Sequence, residues 1–161
     1  MHKKFAALLI IAIVLLSGCG SSYVSDKDII SNEDSYTYQS CNDAGSTSDS
    51  LNRVFEGFKG KDTVFILDAE EEASVTTKIS IVLNKGKVKI VLVTNNNIVI
   101  LIENNGIYEQ CIELEAGISR IIMVGDNSSG TCQITFSEFE NVTVKNISGG
   151  MGFDDWFDDW F

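Results

Sequence analysis

The chain has 161 residues, no proline, and 12 Lys+Arg against 23 Asp+Glu, a formal charge of −11. That length suits one domain, and 44% apolar with 22% charged residues is the balance of a globular fold. The acidic excess argues against a nucleic-acid binder, because phosphate recognition needs clustered Lys and Arg.

Residues 1–22 read MHKKFAALLIIAIVLLSGCGSS. Lys3 and Lys4 form a basic leader, and Phe5 to Leu16 is an uncharged apolar run. The run is shorter than the roughly 20 residues of a transmembrane helix and fits the core of a signal peptide. Leu16-Ser17-Gly18-Cys19 follows, small residues ending in a cysteine. These residues resemble the lipobox of bacterial lipoproteins, with charge, apolar length, small residues and cysteine all in register. The resemblance implies that residues 1–18 are a lipoprotein signal peptide and that Cys19 carries a diacylglycerol on its sulfur. It places the protein on the cell membrane, lipid-anchored at the extracytoplasmic face. Each buried CH₂ contributes about 0.8 kcal/mol, so one acyl chain holds marginally and two or more hold stably.

Cleavage changes the arithmetic of the mature chain. Lys3 and Lys4 leave, the 23 acidic residues stay, and the charge becomes −13. An acidic body is repelled by anionic lipid, so the acyl chains must supply the attachment. His2 also leaves, and it is the only histidine. Ser-His-Asp and Cys-His nucleophiles and His-ligated metals are thereby removed from consideration. The sequence is read as non-catalytic, with no cofactor and no metal. A histidine-free hydrolase working through paired carboxylates is an alternative without a motif.

Residues 19–50, after the anchoring cysteine, read as a tether. Positions 20–50 hold nine serines with Asp, Asn and Gly between them. Such composition buries too little surface to offset its ordering entropy. As a coil it would reach about 30 Å, from ~5–6 Å times the square root of its length. Tyr36 and Tyr38 are the positions expected to dock locally.

Residues 51–148 change to a strand pattern. Leu51-x-x-Val54-Phe55-x-x-Phe58 has helical spacing behind Ser50, and an irregular first strand fits it as well. Strands are expected at Thr63–Leu67, Val75–Leu83, Lys87–Thr94, Ile98–Ile102, Tyr108–Leu114, Ser119–Gly125, Thr131–Phe139 and Val142–Lys145. Val75, Thr77, Ile79, Ile81 and Leu83 alternate with polar neighbours as one half-buried face. Ile90-Val91-Leu92-Val93 and Ile98 to Ile102 are apolar on both faces and read as central strands. Turn signals fall at Asn84-Lys85-Gly86, Asn95-Asn96-Asn97, Asn104-Asn105-Gly106, Ala116-Gly117 and Asp126-Asn127-Ser128-Ser129-Gly130. Their spacing near ten residues is the rhythm of short antiparallel strands. The expected fold is all-β, an antiparallel two-sheet β-sandwich.

Leu114-Glu115-Ala116-Gly117, then Ser119–Gly125 and Thr131–Phe136, resemble the last strands of jelly-roll carbohydrate-binding modules. The resemblance covers about 25 residues and implies a jelly-roll-like fold class only. Those modules stack sugars on exposed Trp or Tyr, whereas residues 51–148 contain no Trp and one Tyr, Tyr108. No binding residue is carried over.

Three cysteines remain after lipidation: Cys41, Cys111 and Cys132. Alternation points Tyr108, Gln110, Ile112 and Leu114 inward and Cys111 outward, while Cys132, Ile134 and Phe136 point inward. Opposite faces disfavour a Cys111–Cys132 bridge, and free thiols are expected. Glu70-Glu71-Glu72 reads as a solvated turn. Asp126 to Gly130 lacks the spacing of a calcium loop and reads as a plain turn.

Residues 149–161 combine a Gly hinge, Gly149-Gly150-Met151-Gly152, with the tandem acidic-aromatic repeat FDDWFDDWF. Phe153, Trp156, Phe157, Trp160 and Phe161 fall at i, i+3, i+4, i+7 and i+8, one helical stripe with Asp154, Asp155, Asp158 and Asp159 opposite. Nine residues are too few for an isolated helix in water, so the pattern is expected to fold on contact. The contact is the domain's own surface, another protein or the membrane interface, and the remaining alternative is a disordered tail without a role. The reading of the whole is a membrane-anchored surface lipoprotein that engages a cell-envelope protein through this repeat. A glycan-binding module using one face of the body is the alternative.

Overall fold

A computed structural model describes residues 24–148. The protein is all-β and antiparallel apart from one short helix, α1 (Asp26–Ile30). The strands are β1 (Ser35–Thr37), β2 (Ser40–Asn42), β3 (Ser50–Ala69), β4 (Ala73–Thr94), β5 (Asn97–Glu103), β6 (Gly106–Leu114), β7 (Gly117–Ser137) and β8 (Val142–Asn146). Where the sequence suggests two hydrogen-bonded sheets, pairing runs through one eight-stranded sheet. Its path is β1-β3-β7-β4-β5, with β2 and β8 also on β3 and β6 also on β4.

Three strands are twice the expected length. Ser119–Gly125 and Thr131–Phe136 are one strand, β7, and Val75–Leu83 and Lys87–Thr94 are one strand, β4. Two turn signals, Asn84–Gly86 and Asp126–Gly130, therefore lie inside strands. They act as bulges facing each other, with Lys85 opposite Ser129 and Lys87 opposite Asp126. Gly86 (φ 74) and Asn127 (φ 47) adopt left-handed backbone there, which bends a strand without ending it. A Cβ on Gly86 would lie 2.5 Å from the Asn127 carbonyl oxygen. The other three signals do end strands, with Asn95, Asn96 and Asn104 left-handed at the two hairpins.

The third long strand, β3, is irregular at the same level, between Phe55 and Gly60. This bulge explains the helix-like spacing of its apolar residues. Leu51, Arg53 and Phe55 point inward as a strand requires, and the extra residues at Gly57 return Phe58 to the same side. A three-residue interval on a bulged strand thus imitates a helical one.

The three irregularities align into a corner that divides the sheet into two limbs. The first holds the start of β3 and β4, the end of β7, β6 and β2. The second holds the end of β3 and β4, the start of β7, β5 and β8. Inward residues of both limbs form one cluster, including Phe55, Ile79 and Ile134 from the first and Leu67, Ile90 and Met123 from the second. Phe136 of the first limb meets Phe65 of the second edge to face at 4.9 Å. The sheet is folded over its own core.

The expected tether is corrected over residues 24–50, which hold α1, β1 and β2. Serine supplies local polar bonds there: Ser25 caps α1 by accepting from the Asp28 N–H, and Ser46 accepts from the Asn52 N–H. Ile29 of α1 packs with Val91, Val93, Ile122 and Val124. These four line the outer face of the second limb, so the helix accounts for the two-sided apolar run at Ile90–Val93. Tyr38 docks as expected, stacked on Phe58 at 4.6 Å, and Tyr36 leans on it edge to face at 5.4 Å. Ile98–Ile102 is not central. It forms β5 at the end of the pairing path, with Val99 and Ile100 exposed. A bulge between Ile90 and Val91 splits its contacts, Ile98 facing the α1 cluster and Leu101 the main core.

The corner depends on Gly125. A Cβ there would sit 2.1 Å from Cδ1 of the buried Phe58. Gly125→Ala should lower stability by about 1–3 kcal/mol, the usual cost of overpacking, read as a lower urea midpoint. Gly106→Ala, whose nearest neighbour would be Ile102 Cδ1 at 3.4 Å, should stay within about 0.5 kcal/mol. Equal midpoints for the two variants would contradict the packing of the corner.

Candidate functional site

The polar chemistry of the body concentrates where residues 24–49 meet β3 and β7. Arg53, Lys61, Asp62, Thr63 and Arg120 are all buried there, and each has a partner in that segment. Buried charge is tolerated only when it is paired and hydrogen-bonded, and each of these groups is.

Arg53 is the centre. Its Nε and Nη2 donate to the two carboxylate oxygens of Asp43, both at 2.7 Å. Its Nη1 donates to Asp62 Oδ2 at 2.5 Å and to the Tyr38 hydroxyl at 2.8 Å. The Tyr38 hydroxyl donates in turn to Asp62 Oδ2 at 2.7 Å. Burial works against the charge of Arg53, but the bond to Asp43 and the neighbouring acids outweigh it and keep the guanidinium protonated. Burial also pushes Asp43 up, yet its bonds and attraction to Arg53 hold the carboxyl below the usual carboxylate range. Burial pushes Asp62 up, with Arg53 and Tyr38 pulling against it. Burial likewise raises the Tyr38 phenol.

A second set of bonds holds α1. Lys61 Nζ donates to the carbonyls of Asp28 at 2.9 Å and Ser31 at 2.8 Å. Arg120 donates through Nη1 to the Ser31 carbonyl at 2.7 Å and through Nη2 to the Ile30 carbonyl at 2.5 Å. These carbonyls belong to the C-terminal end of a helix, where orphan acceptors and the dipole favour cations. Asp34 accepts from the N–H of Thr63 at 3.0 Å and its hydroxyl at 2.7 Å. Two clamps, one on Arg53 and one on Lys61 and Arg120, thus fasten residues 24–49 as a strap.

The outer faces of the limbs differ. That of the second lies under α1. That of the first carries Ile107 and Glu109 on β6, Ser80 and Val82 on β4, Thr131 and Gln133 on β7, and Asn52 and Val54 on β3. Cross-strand pairing sets these in rows, with Ile107, Ser80, Gln133 and Asn52 in one row and Val82, Thr131, Val54 and Asn42 in the next. Ile107, Val82 and Val54 are 72%, 58% and 53% exposed, a concentration of apolar surface on a face otherwise mostly polar or charged. Lys78 and Glu109 form an exposed ion pair on it at 3.0 Å.

Of the sequence-derived candidates, Cys19 and the tail residues Phe153, Asp154, Asp155, Trp156, Phe157, Asp158, Asp159, Trp160 and Phe161 lie outside the described residues. Cys41, Cys111 and Cys132 are free thiols. Cys111 is exposed and Cys132 buried, the directions that alternation assigns. Burial pushes the Cys132 thiol up to about 12, which makes it a small core residue and not a nucleophile. Glu70–Glu72 connects β3 to β4. It borders an open cleft of about 500 Å³ lined by Glu72, Ser74, Glu138, Phe139, Glu140 and Asn141. Among the described residues no group of three or more His, Cys, Asp or Glu is placed to hold a metal. The Arg53 clamp escaped sequence reading. A usable signal was present, since Arg53 sits at an inward position of its strand.

Arg53→Met should cost about 3–5 kcal/mol, because it strands Asp62 in the interior without its cation. The strap should then become sensitive to protease. Arg53→Met combined with Asp62→Leu should recover most of the loss, as a double-mutant cycle by urea unfolding would show. Additive losses would mean that the pair is not coupled.

No protein-family model matches the chain, and no curated protein is significantly similar to it.

Proposed function

We propose that the chain is a bacterial lipoprotein, anchored through Cys19 at the extracytoplasmic face of the cell membrane. It works there as a non-catalytic interaction module that engages a cell-envelope protein through its C-terminal DDWF repeat. The observation carrying this reading is the lipobox in register, Leu16-Ser17-Gly18-Cys19 behind a basic leader and an apolar run. Among the described residues no helix is long and apolar enough to cross a membrane, and a lipid on Cys19 requires none.

The strap gives the reading a geometry. Val24 lies five residues beyond Cys19, a span of at most about 18 Å at ~3.3–3.6 Å per residue. The body, folded as the two layers of a jelly-roll-like sandwich, therefore rests near the headgroups and is not lifted on a long tether. Its acidic surface is repelled by anionic lipid, which leaves the acyl chains to hold it.

A second reading is favoured by the open face of the first limb. Asn52, Gln133, Ser80 and Thr131 offer the amide and hydroxyl groups that hydrogen-bond uncharged sugars. Binding on a glycan array that survives removal of residues 153–161 would favour the glycan module over the protein-recruiting one.

The anchor is tested by Cys19→Ala, which removes the acylated sulfur. The variant should leave the membrane fraction or persist as an uncleaved precursor. Normal processing with unchanged membrane fractionation would overturn the lipoprotein reading.

A further inference from the structure

We propose that the acidic-aromatic tail, residues 153–161, seats on the chain's own sheet, across Ile107, Val82 and Val54 on the outer face of the first limb. A tail seated in this way turns its aromatic stripe to the sheet and leaves only its carboxylates for a partner, so this inference replaces recruitment through the aromatic residues while leaving the lipid anchor untouched.

Three observations select the occupant. The first is where the described chain ends. The Asn146 side chain donates to the carbonyls of Thr47 and Ser50 and accepts from the Ser148 N–H, and Ser148 stands beside Asp43. Asp43 directly follows Asn42, and Asn42 lies opposite Val54. Ser50 is on the open face itself, opposite Thr135. From Ser50 to Val54 is about 13 Å along a strand. Gly149 to Gly152 allow Phe153 to lie up to about 17 Å from Ser148, longer than that distance and so enough for the chain to pass round the sheet edge from the Arg53 side, where Asp43 lies, to the open face.

The second is dimension. Ile107, Val82 and Val54 belong to β6, β4 and β3, and β7 lies between the last two. The patch therefore spans three strand spacings, about 14 Å. Nine helical residues span about 13.5 Å. The aromatic stripe and the apolar patch match in length, and the stripe would cross the strands.

The third is charge. Three of the six large apolar side chains that are exposed among the described residues are on this face, in a chain of charge −11. Lys78, which also pairs with Glu109, lies two residues before Ser80, and the exposed Lys85 three residues after Val82, so a lysine stands near each end of the β4 side of the patch. With the aromatic stripe down, Asp154, Asp155, Asp158 and Asp159 project from the opposite side and flanks of the tail, within reach of these lysines. The outer face of the second limb is already taken by Ile29 of α1.

Both tryptophans of the chain are in the tail, at Trp156 and Trp160, so indole fluorescence reports on the tail alone. In the full chain held in detergent micelles, emission should be blue-shifted and shielded from acrylamide, equally at all protein concentrations. Val82→Asp with Ile107→Asp should shift emission to the red and raise the quenching constant several-fold, with far-UV dichroism unchanged and the melting temperature lowered as the docked contact is lost. Val82→Lys should keep the shielding. Should the Asp pair unfold the sheet, Val82→Ser with Ile107→Ser asks the same question.

Exposed emission in the unmodified chain would overturn the proposal. So would shielding that survives the face substitutions, which places the tail elsewhere or in the micelle. Shielding lost on dilution would assign the contact to a second copy and overturn it too. None of these outcomes bears on Cys19, whose test is membrane fractionation.

Discussion

The guanidinium of Arg53 ties together three places in the fold: the two halves of β3 on either side of the corner and the strap. It stands on the first limb, binds Asp62 on the second, and binds Asp43 and Tyr38 of the strap. A planar group with five donors makes four bonds here, two of them as a fork on one carboxylate, whereas an ammonium has three donors and no fork. Burying such a group is expensive, and an apolar replacement of the whole cluster could be as stable. What the cluster contributes is direction. Hydrophobic residues would accept many positions of the strap, whereas a bidentate pair at 2.7 Å accepts one.

That fixed strap complements the fold of the sheet. Three long strands bent at one corner bring the inward residues of both limbs into one core, so the sheet's inner face is covered by itself. The outer face of the second limb remains apolar through Val91, Val93, Ile122 and Val124, and needs a cover from elsewhere in the chain. α1 supplies one large side chain, Ile29, and is too short to be stable alone. Its position therefore depends on Lys61 and Arg120 holding its terminal carbonyls. Packing and clamping have separate roles, in which the apolar contact favours burial and the cations determine where the helix sits.

The sequence disclosed strand content and side-chain direction wherever alternation was undisturbed, as at Val75–Leu83 and Thr131–Phe136, and so placed Cys111 outside and Cys132 inside. It misled where a bulge broke the period. Asn84–Gly86 and Asp126–Gly130 have the composition of turns because a bend inside a strand needs the same left-handed residues as a turn between strands. Leu51 to Phe58 imitated a helix for the same reason. Residues 24–49 read as a tether because composition measures what a segment buries by itself. This segment is ordered by charges on β3 and β7 that only the folded chain brings to it. The rows of the open face were out of reach as well, since they depend on register across four strands.

The distribution of cations shapes the protein's surface as well as its interior. Both arginines, Arg53 and Arg120, are buried, with Lys61 and Lys89. Four of the 12 cations are therefore withdrawn from the surface, which is more acidic than the formal charge indicates. Exposed lysines become scarce, and a negatively charged ligand finds few places to settle. On the lipoprotein reading the same burial has a mechanical side. Any pull between the lipid and the body passes first through residues 20–24 into α1, and from α1 into Lys61 and Arg120. Ionic hydrogen bonds to helix carbonyls, aligned by a guanidinium fork and shielded from water, resist that displacement better than the contact of Ile29 alone. The strap is then the fastening that lets a short anchor segment position a whole domain, and its charged clamps are where that fastening bears its load.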